Sequence, residues 1–219
     1  MSGVASGEPA RLTVGIVVAS TLAWGVALLT GGETWAALNA GFLPMRAIAD
    51  VGFAVPFVLT PLSATLVHAG FVHLAFNMAL LMFVGRTLEP VIGPGRVAVL
   101  YGAGAYAAAA AHLLVNWPLR DGVVVANAMT PMVGASGAIS ALLAVYALLT
   151  SRSEVRPLGP IPAAVVRVLW LAAAWIGLQA LIALGTGGNG MAIATAAHVG
   201  GFLAGLALAR PLLGGRLPD

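Results

Sequence analysis

Apolar residues run along this chain in six long blocks, separated by short polar, glycine-bearing or proline-bearing connections. A membrane-spanning helix needs about 20 predominantly apolar residues. Segments 12–30, 62–84, 96–116, 134–150, 163–185 and 191–210 meet that requirement. The expected fold is therefore an all-α membrane protein, a bundle of six transmembrane helices. The first block is too long, and too well followed by further spans, for a cleavable leader. The fourth and sixth are rich in Gly and Ala, which suits interior helices whose backbones approach closely. Segment 31–61 forms a long first loop with Trp35, Phe42, Phe53 and Phe57 among polar positions. That pattern fits a segment lying in the membrane interface, where aromatic rings prefer to sit. The uncharged link Leu184–Ala192, "LGTGGNGMA", is expected to be mobile.

Composition strengthens this picture. The 219 residues are 60% hydrophobic and only 8% charged, where a soluble domain carries roughly a quarter charged residues. Cysteine is absent, so disulfides and Cys-based metal sites are excluded. All 10 basic residues are Arg, which with so much Ala, Gly and Val fits a GC-rich bacterial genome. With a cytoplasmic N-terminus, the inner segments hold Arg11, Arg86, Arg96, Arg152, Arg156, Arg167, Arg210 and Arg216, and the outer loops only Arg46 and Arg120. This positive-inside bias puts both termini in the cytoplasm. The expected organisation is a tail over 1–11, one membrane domain over 12–210 and a tail over 211–219. A bacterial inner membrane is the expected location. The net charge of +3 needs no nucleic acid to explain it.

Few strongly polar side chains fall within the six blocks: His68, His73, Asn77, His112, Ser136, Ser140, Gln179 and His198. Ionisable groups in hydrocarbon are costly and normally face the bundle interior or a wet cavity. Blocks two, four and six run in the same direction, so their depths compare directly at 1.5 Å per residue. Ser136 lies 14 residues before Thr150, His73 13 before Arg86 and His198 12 before Arg210, or about 21, 20 and 18 Å above the cytoplasmic end. Asn77 is one turn below His73 on the same helix face.

A serine and a histidine meeting in a water-reachable pocket can form a minimal hydrolase. The imidazole takes the hydroxyl proton as the serine attacks a carbonyl, then returns a proton to the leaving amine. Ser136 opens its helix, where backbone N–H groups and the positive dipole end can hold an oxyanion. Asn77 and His73 could add side-chain donors. All seven acidic residues lie in tails or connections, which favours a dyad over a triad. Taken singly, each feature has a plainer reading. Ser136 and Ser140 form a small-xxx-small packing pair, and His112 and Gln179 read as structural or interfacial.

Three motifs in order resemble the rhomboid family of intramembrane serine proteases: "HAGFVHLAFNM" from His68, "GASG" from Gly134 and "AHVGGFLAG" from Ala197. The resemblance implies Ser136 as nucleophile and His198 as general base. It implies His73 and Asn77 on the oxyanion side, with Gly134 admitting the substrate backbone. Gly201 and Gly205 would let helix six lie close on helix four. Glu89, in "GRTLEPVIGPGR", resembles a structural acidic residue of the family, though it reads equally as a solvated carboxylate. Helix five, with Trp170 and Trp175, and the link after it resemble the family's movable gate and cap.

The chain departs from the family pattern at two places. Many rhomboids have an aromatic residue one turn after the serine, stacked on the histidine, and here that position is Ser140. Many have a Trp-Arg pair shortly before the first histidine, where this chain reads Leu59-Thr60. The implied activity is cleavage of transmembrane segments of other proteins in the lipid bilayer, without a cofactor or metal. The alternatives are a catalytically inactive rhomboid-like protein that binds membrane clients, a histidine proton relay in a small transporter, and haem ligation.

Overall fold

The computed structural model describes residues 10–49, 54–150, 155–163, 165–166, 168–170, 172–175, 177 and 191–214. Gln179, Phe53, Arg152, Arg167, Arg216 and link residues 184–190 lie outside the described residues, as do most of both tails. The helices in order are α1 (Arg11–Thr30), α2 (Glu33–Ala40), α3 (Thr60–Ser63), α4 (Phe71–Ile92), α5 (Pro94–Val115), α6 (Ser136–Thr150) and α7 (Met191–Leu213). Further helical residues lie between 163 and 177.

The protein is mostly helical, and α1, α4, α5 and Thr195–Leu213 of α7 are each long and apolar enough to cross a membrane. The helix α6 is shorter, at 15 residues, or about 22 Å. It is also the most enclosed element, buried without interruption from Ala135 to Val145. Helices α5 and α7 flank it at very close range. A Cβ on Gly201 would strike the Gly137 carbonyl, one on Gly205 the Ala141 carbonyl, and one on Gly104 would come 2.7 Å from the Ala141 Cβ. Lipid offers no hydrophobic drive for helices to associate, so dispersion between backbones in contact does that work, and only Gly and Ala permit the contact.

In contrast, α1 is peripheral, with Leu22, Val26 and Leu29 exposed along its length. Its N-terminus is fixed by a residue far away in sequence. The Glu89 carboxylate, near the end of α4, accepts hydrogen bonds from the Leu12 and Thr13 amides at 2.9 and 2.8 Å and from the Thr13 hydroxyl at 2.6 Å. Glu89 is only 5% exposed. It therefore caps the orphan amides and the positive dipole end of α1, and the reading of it as a solvated carboxylate falls.

The second apolar block begins differently from its expected span of 62–84. Residues 60–66 form separate short turns opened by Pro61, and the long helix starts only at Phe71 and continues to Ile92. Apolarity alone cannot register the extended Val67 that divides the two. His68 thus sits in the connection before α4 and not on the helix. The all-α expectation also needs a small correction. Leu119–Arg120 and Val123–Val124 pair as a short antiparallel hairpin around Asp121 and Gly122. Both turn residues have positive φ (51° and 78°), the conformation for which Asp-Gly is suited.

The first loop is anchored in the bundle. Phe42 pairs with Met132 through two backbone hydrogen bonds of 2.9 and 2.8 Å, four residues before Ser136. Phe42 is buried and stacks on Phe57 at 5.2 Å with the His112 ring edge-on at 6.2 Å. Arg46 donates to the Val55 carbonyl at 2.7 Å and lies over the Phe57 ring. Arg46 thereby ties parts of the loop to one another, and Phe57 packs against the cluster of Phe42, Ala64 and Ala109.

Candidate active site

Ser136 is the first residue of α6, and the backbone leading into it is bent by Gly134 at φ +107°. That is a conformation side-chain-bearing residues rarely adopt. There is a second reason for glycine at this position. A Cβ there would lie 2.6 Å from His73 Cε1 and 2.7 Å from Nε2, so the imidazole of His73 covers Gly134 directly. The Gly134 amide donates to the Ala64 carbonyl at 2.9 Å, which ties the serine turn to the segment before α4.

His198 reaches Ser136 from α7. Its Nε2 is 2.7 Å from the Ser136 Oγ, and the two residues are 4% and 9% exposed. The contact depends on the glycine seam between the helices. Gly201 lies against Gly137, one residue after the serine, and His198 is three positions before Gly201 on α7. With Nε2 accepting from the hydroxyl, the ring proton belongs on Nδ1, which has no hydrogen-bond partner among the described residues.

His73 and Asn77 follow one another on α4, and Asn77 Nδ2 donates to the His73 carbonyl at 2.8 Å. This uses one of the two amide protons. His68 meets His73 edge-on, with ring centroids 5.2 Å apart, and its Nδ1 is 3.4 Å from the Leu66 carbonyl. The structure therefore gathers Ser136, His198, Gly134 and His73 at the top of α6, with Asn77 one turn below His73. It does not bring His112 there. That residue is fully buried near the end of α5, hydrogen-bonded to Asn116 and edge-on to Phe42.

A model of the Rhomboid domain matches residues 58–215, nearly three quarters of the chain. The chain belongs to the rhomboid family. Over 79 residues it is 37% identical to Rhomboid-related protein 3 of Homo sapiens, a match covering 36% of this chain but only 17% of that relative. Family membership and the apolar helices make it an integral membrane protein.

At position 140, where the resemblance leads one to expect an aromatic, the chain has Ser140, and it meets Trp175, a residue that the resemblance suggested only as part of a gate. Trp175, from the helical residues between 163 and 177, lies with its ring centroid 5.8 Å from that of His198 and tilted 56° to it. Its indole N–H donates to the Ser140 Oγ at 2.7 Å, and the Ser140 hydroxyl donates to the Ser136 carbonyl at 2.7 Å. Trp175 also stacks on Phe76 of α4 at 6.2 Å and 14°. No local pattern announces these contacts. Their partners lie on four different elements, and Trp175 and Ser140 are 35 residues apart.

Proposed function

We propose that this rhomboid is an intramembrane serine endopeptidase that cleaves transmembrane segments of other membrane proteins through a Ser136–His198 dyad. The observation that carries the reading is the buried 2.7 Å contact between Ser136 Oγ and His198 Nε2, made between two helices. Polar groups at such depth are expensive, and a serine and a histidine spaced for proton transfer are a nucleophile and its base.

In the first step Ser136 Oγ attacks the substrate carbonyl carbon while its proton passes to His198 Nε2. The carbonyl π electrons move onto the oxygen. That oxyanion is met by amides of the first turn of α6 and by donors from Asn77 and His73. His198 then gives its proton to the leaving amine as the C–N bond breaks, leaving an acyl ester on Ser136. Water attacks the ester as His198 takes its proton, and His198 returns that proton to Ser136 Oγ as the C–O bond breaks, releasing the acid and restoring the serine. A neighbouring carboxylate is unnecessary if packing alone holds the imidazole.

The backbone amides of an intact helix are closed within the helix, so a substrate segment must unwind locally to present its carbonyl. Small or helix-breaking residues near the cut are expected. We place the membrane domain at 12–210 as six spans, α6 and the helical stretch from 163 included. The arginine distribution supports cytoplasmic termini, and the composition supports a bacterial inner membrane.

The test is labelling of the protein, in detergent and in bilayers, by a fluorescent fluorophosphonate beside Ser136→Ala and His198→Ala. Wild type should label and both variants stay dark. Folded wild type that remains dark in bilayers would overturn the dyad and leave a client-binding rhomboid.

A further inference from the structure

We propose that Trp175 is the residue that positions the general base of this chain, bracing the His198 ring and fixing its own place through Ser140. The inference rests on the Ser136–His198 reading. A dyad histidine has a mechanical difficulty. Its Nε2 is directed by the serine, but a ring held at one atom can still rotate about that bond, and His198 Nδ1 has no hydrogen-bond partner among the described residues. What restrains the ring must then be packing. The aromatic face beside it is Trp175, at 5.8 Å.

Trp175 is itself held on three sides. Phe76 of α4 stacks nearly parallel to it, Ser140 of α6 receives its N–H, and His198 of α7 lies against it. It is 4% exposed. The Ser140 hydroxyl passes the connection on by donating to the Ser136 carbonyl, so the brace of the base is hydrogen-bonded to the backbone of the nucleophile. Serine at 140 is what makes this arrangement possible. The residue is fully buried, and a ring at that position would occupy the volume that the indole fills. The base is thereby aligned only while the helical stretch carrying Trp175 is seated against α4 and α6.

This geometry makes a sign-changing prediction. The probe is a fluorophosphonate, with rate measured against concentration and fold checked by thermal unfolding. Trp175→Ala should lower the labelling rate about 30-fold, the scale of loss for a slightly misplaced catalytic group. The loss should fall on the rate at saturating probe, with the half-saturating concentration within about twofold of wild type. Ser140→Tyr in the wild-type background should also slow labelling, because the indole is in its way. Combined with Trp175→Ala, the same Ser140→Tyr should restore labelling by about fivefold or more, a coupling expected only for groups that share one site. Trp175→Leu retains apolar volume, and supplies the same comparison if Trp175→Ala fails to fold.

Folded Trp175 variants that label at the wild-type rate would overturn the proposal. So would a double variant no faster than Trp175→Ala, since Trp175 would then act through the bundle and not through the His198 ring. Wild type that fails to label is a different failure, that of the dyad itself.

Discussion

The capping of α1 by Glu89 is open to a sharp test, because replacing the carboxylate with its amide exchanges one oxygen for an NH2 group and leaves the volume almost unchanged. Glu89 Oε2 accepts from both the amide and hydroxyl of Thr13, and Oε1 accepts from the Leu12 amide. Glutamine offers one oxygen. With that oxygen turned to Thr13, its NH2 group faces the Leu12 N–H, and two donors oppose each other in a buried site. Hydrogen bonds to charged groups contribute about 1.5–3 kcal/mol, and the charge at the helix terminus adds about 0.3–1 kcal/mol. Glu89→Gln should therefore cost about 2–3 kcal/mol, and Glu89→Ala, which forfeits all three acceptances, about 3–4 kcal/mol. The loss should be localised. Apolar residues on the outer face of α1 remain in lipid, so the helix should detach at its start without leaving the membrane. Unfolding by SDS from dodecyl maltoside micelles, followed by far-UV circular dichroism, measures the magnitude. Amide hydrogen exchange across residues 11–15 measures the place. If both variants lie within about 0.5 kcal/mol of wild type, the level of an ordinary surface substitution, the carboxylate is not a cap and the reasoning fails.

Other consequences concern the seam and the site. Gly201→Ala drives a methyl into the Gly137 carbonyl; it should destabilise by about 1–3 kcal/mol, and fluorophosphonate labelling should fall even in the folded fraction, because α7 carries His198. Asn77→Ala should lower the rate of substrate cleavage by about 100-fold if its amide holds the oxyanion, with substrate affinity nearly unchanged; a matching loss in affinity would mean that Asn77 binds the ground state. Gly134→Ala combines an unfavourable φ of +107° with a clash against His73, and should abolish labelling while His73→Ala in the same chain partly restores it. Phe42→Ala should cost about 3–5 kcal/mol as a buried aromatic truncation, and limited proteolysis should then cut within residues 31–61.

How much of this was legible beforehand differs by kind of feature. Membrane depth makes polar residues conspicuous: in a chain 8% charged, a serine and a histidine inside apolar blocks need a reason, and the fixed rise of a helix allows their heights to be compared before any packing is known. Ser136, His73 and His198 were placed on one level in this way, and in the folded chain Ser136 and His198 are hydrogen-bonded, with His73 over Gly134. The glycines of α7 were legible for a similar reason, since small residues repeated on one helix face have few uses other than close approach. The Asp-Gly turn of the hairpin is legible too, as a turn signal between two apolar blocks.

The sequence by itself determined the membrane class and the family and named the candidate site residues, because each of these is written in local composition, in spacing along one helix or in short motifs. Tertiary structure alone decided where α4 begins, what caps α1 and what braces His198. Thr13 and Glu89 are 76 residues apart, and Ser140 and Trp175 are 35 apart. Neither pair has a periodicity to betray it. Such contacts are fixed by which helix faces meet, and that choice belongs to the energy of packing the whole bundle. Ser140 is the clearest case: read along the chain it is a missing aromatic, and only in the folded bundle is it the acceptor that seats an aromatic from another helix.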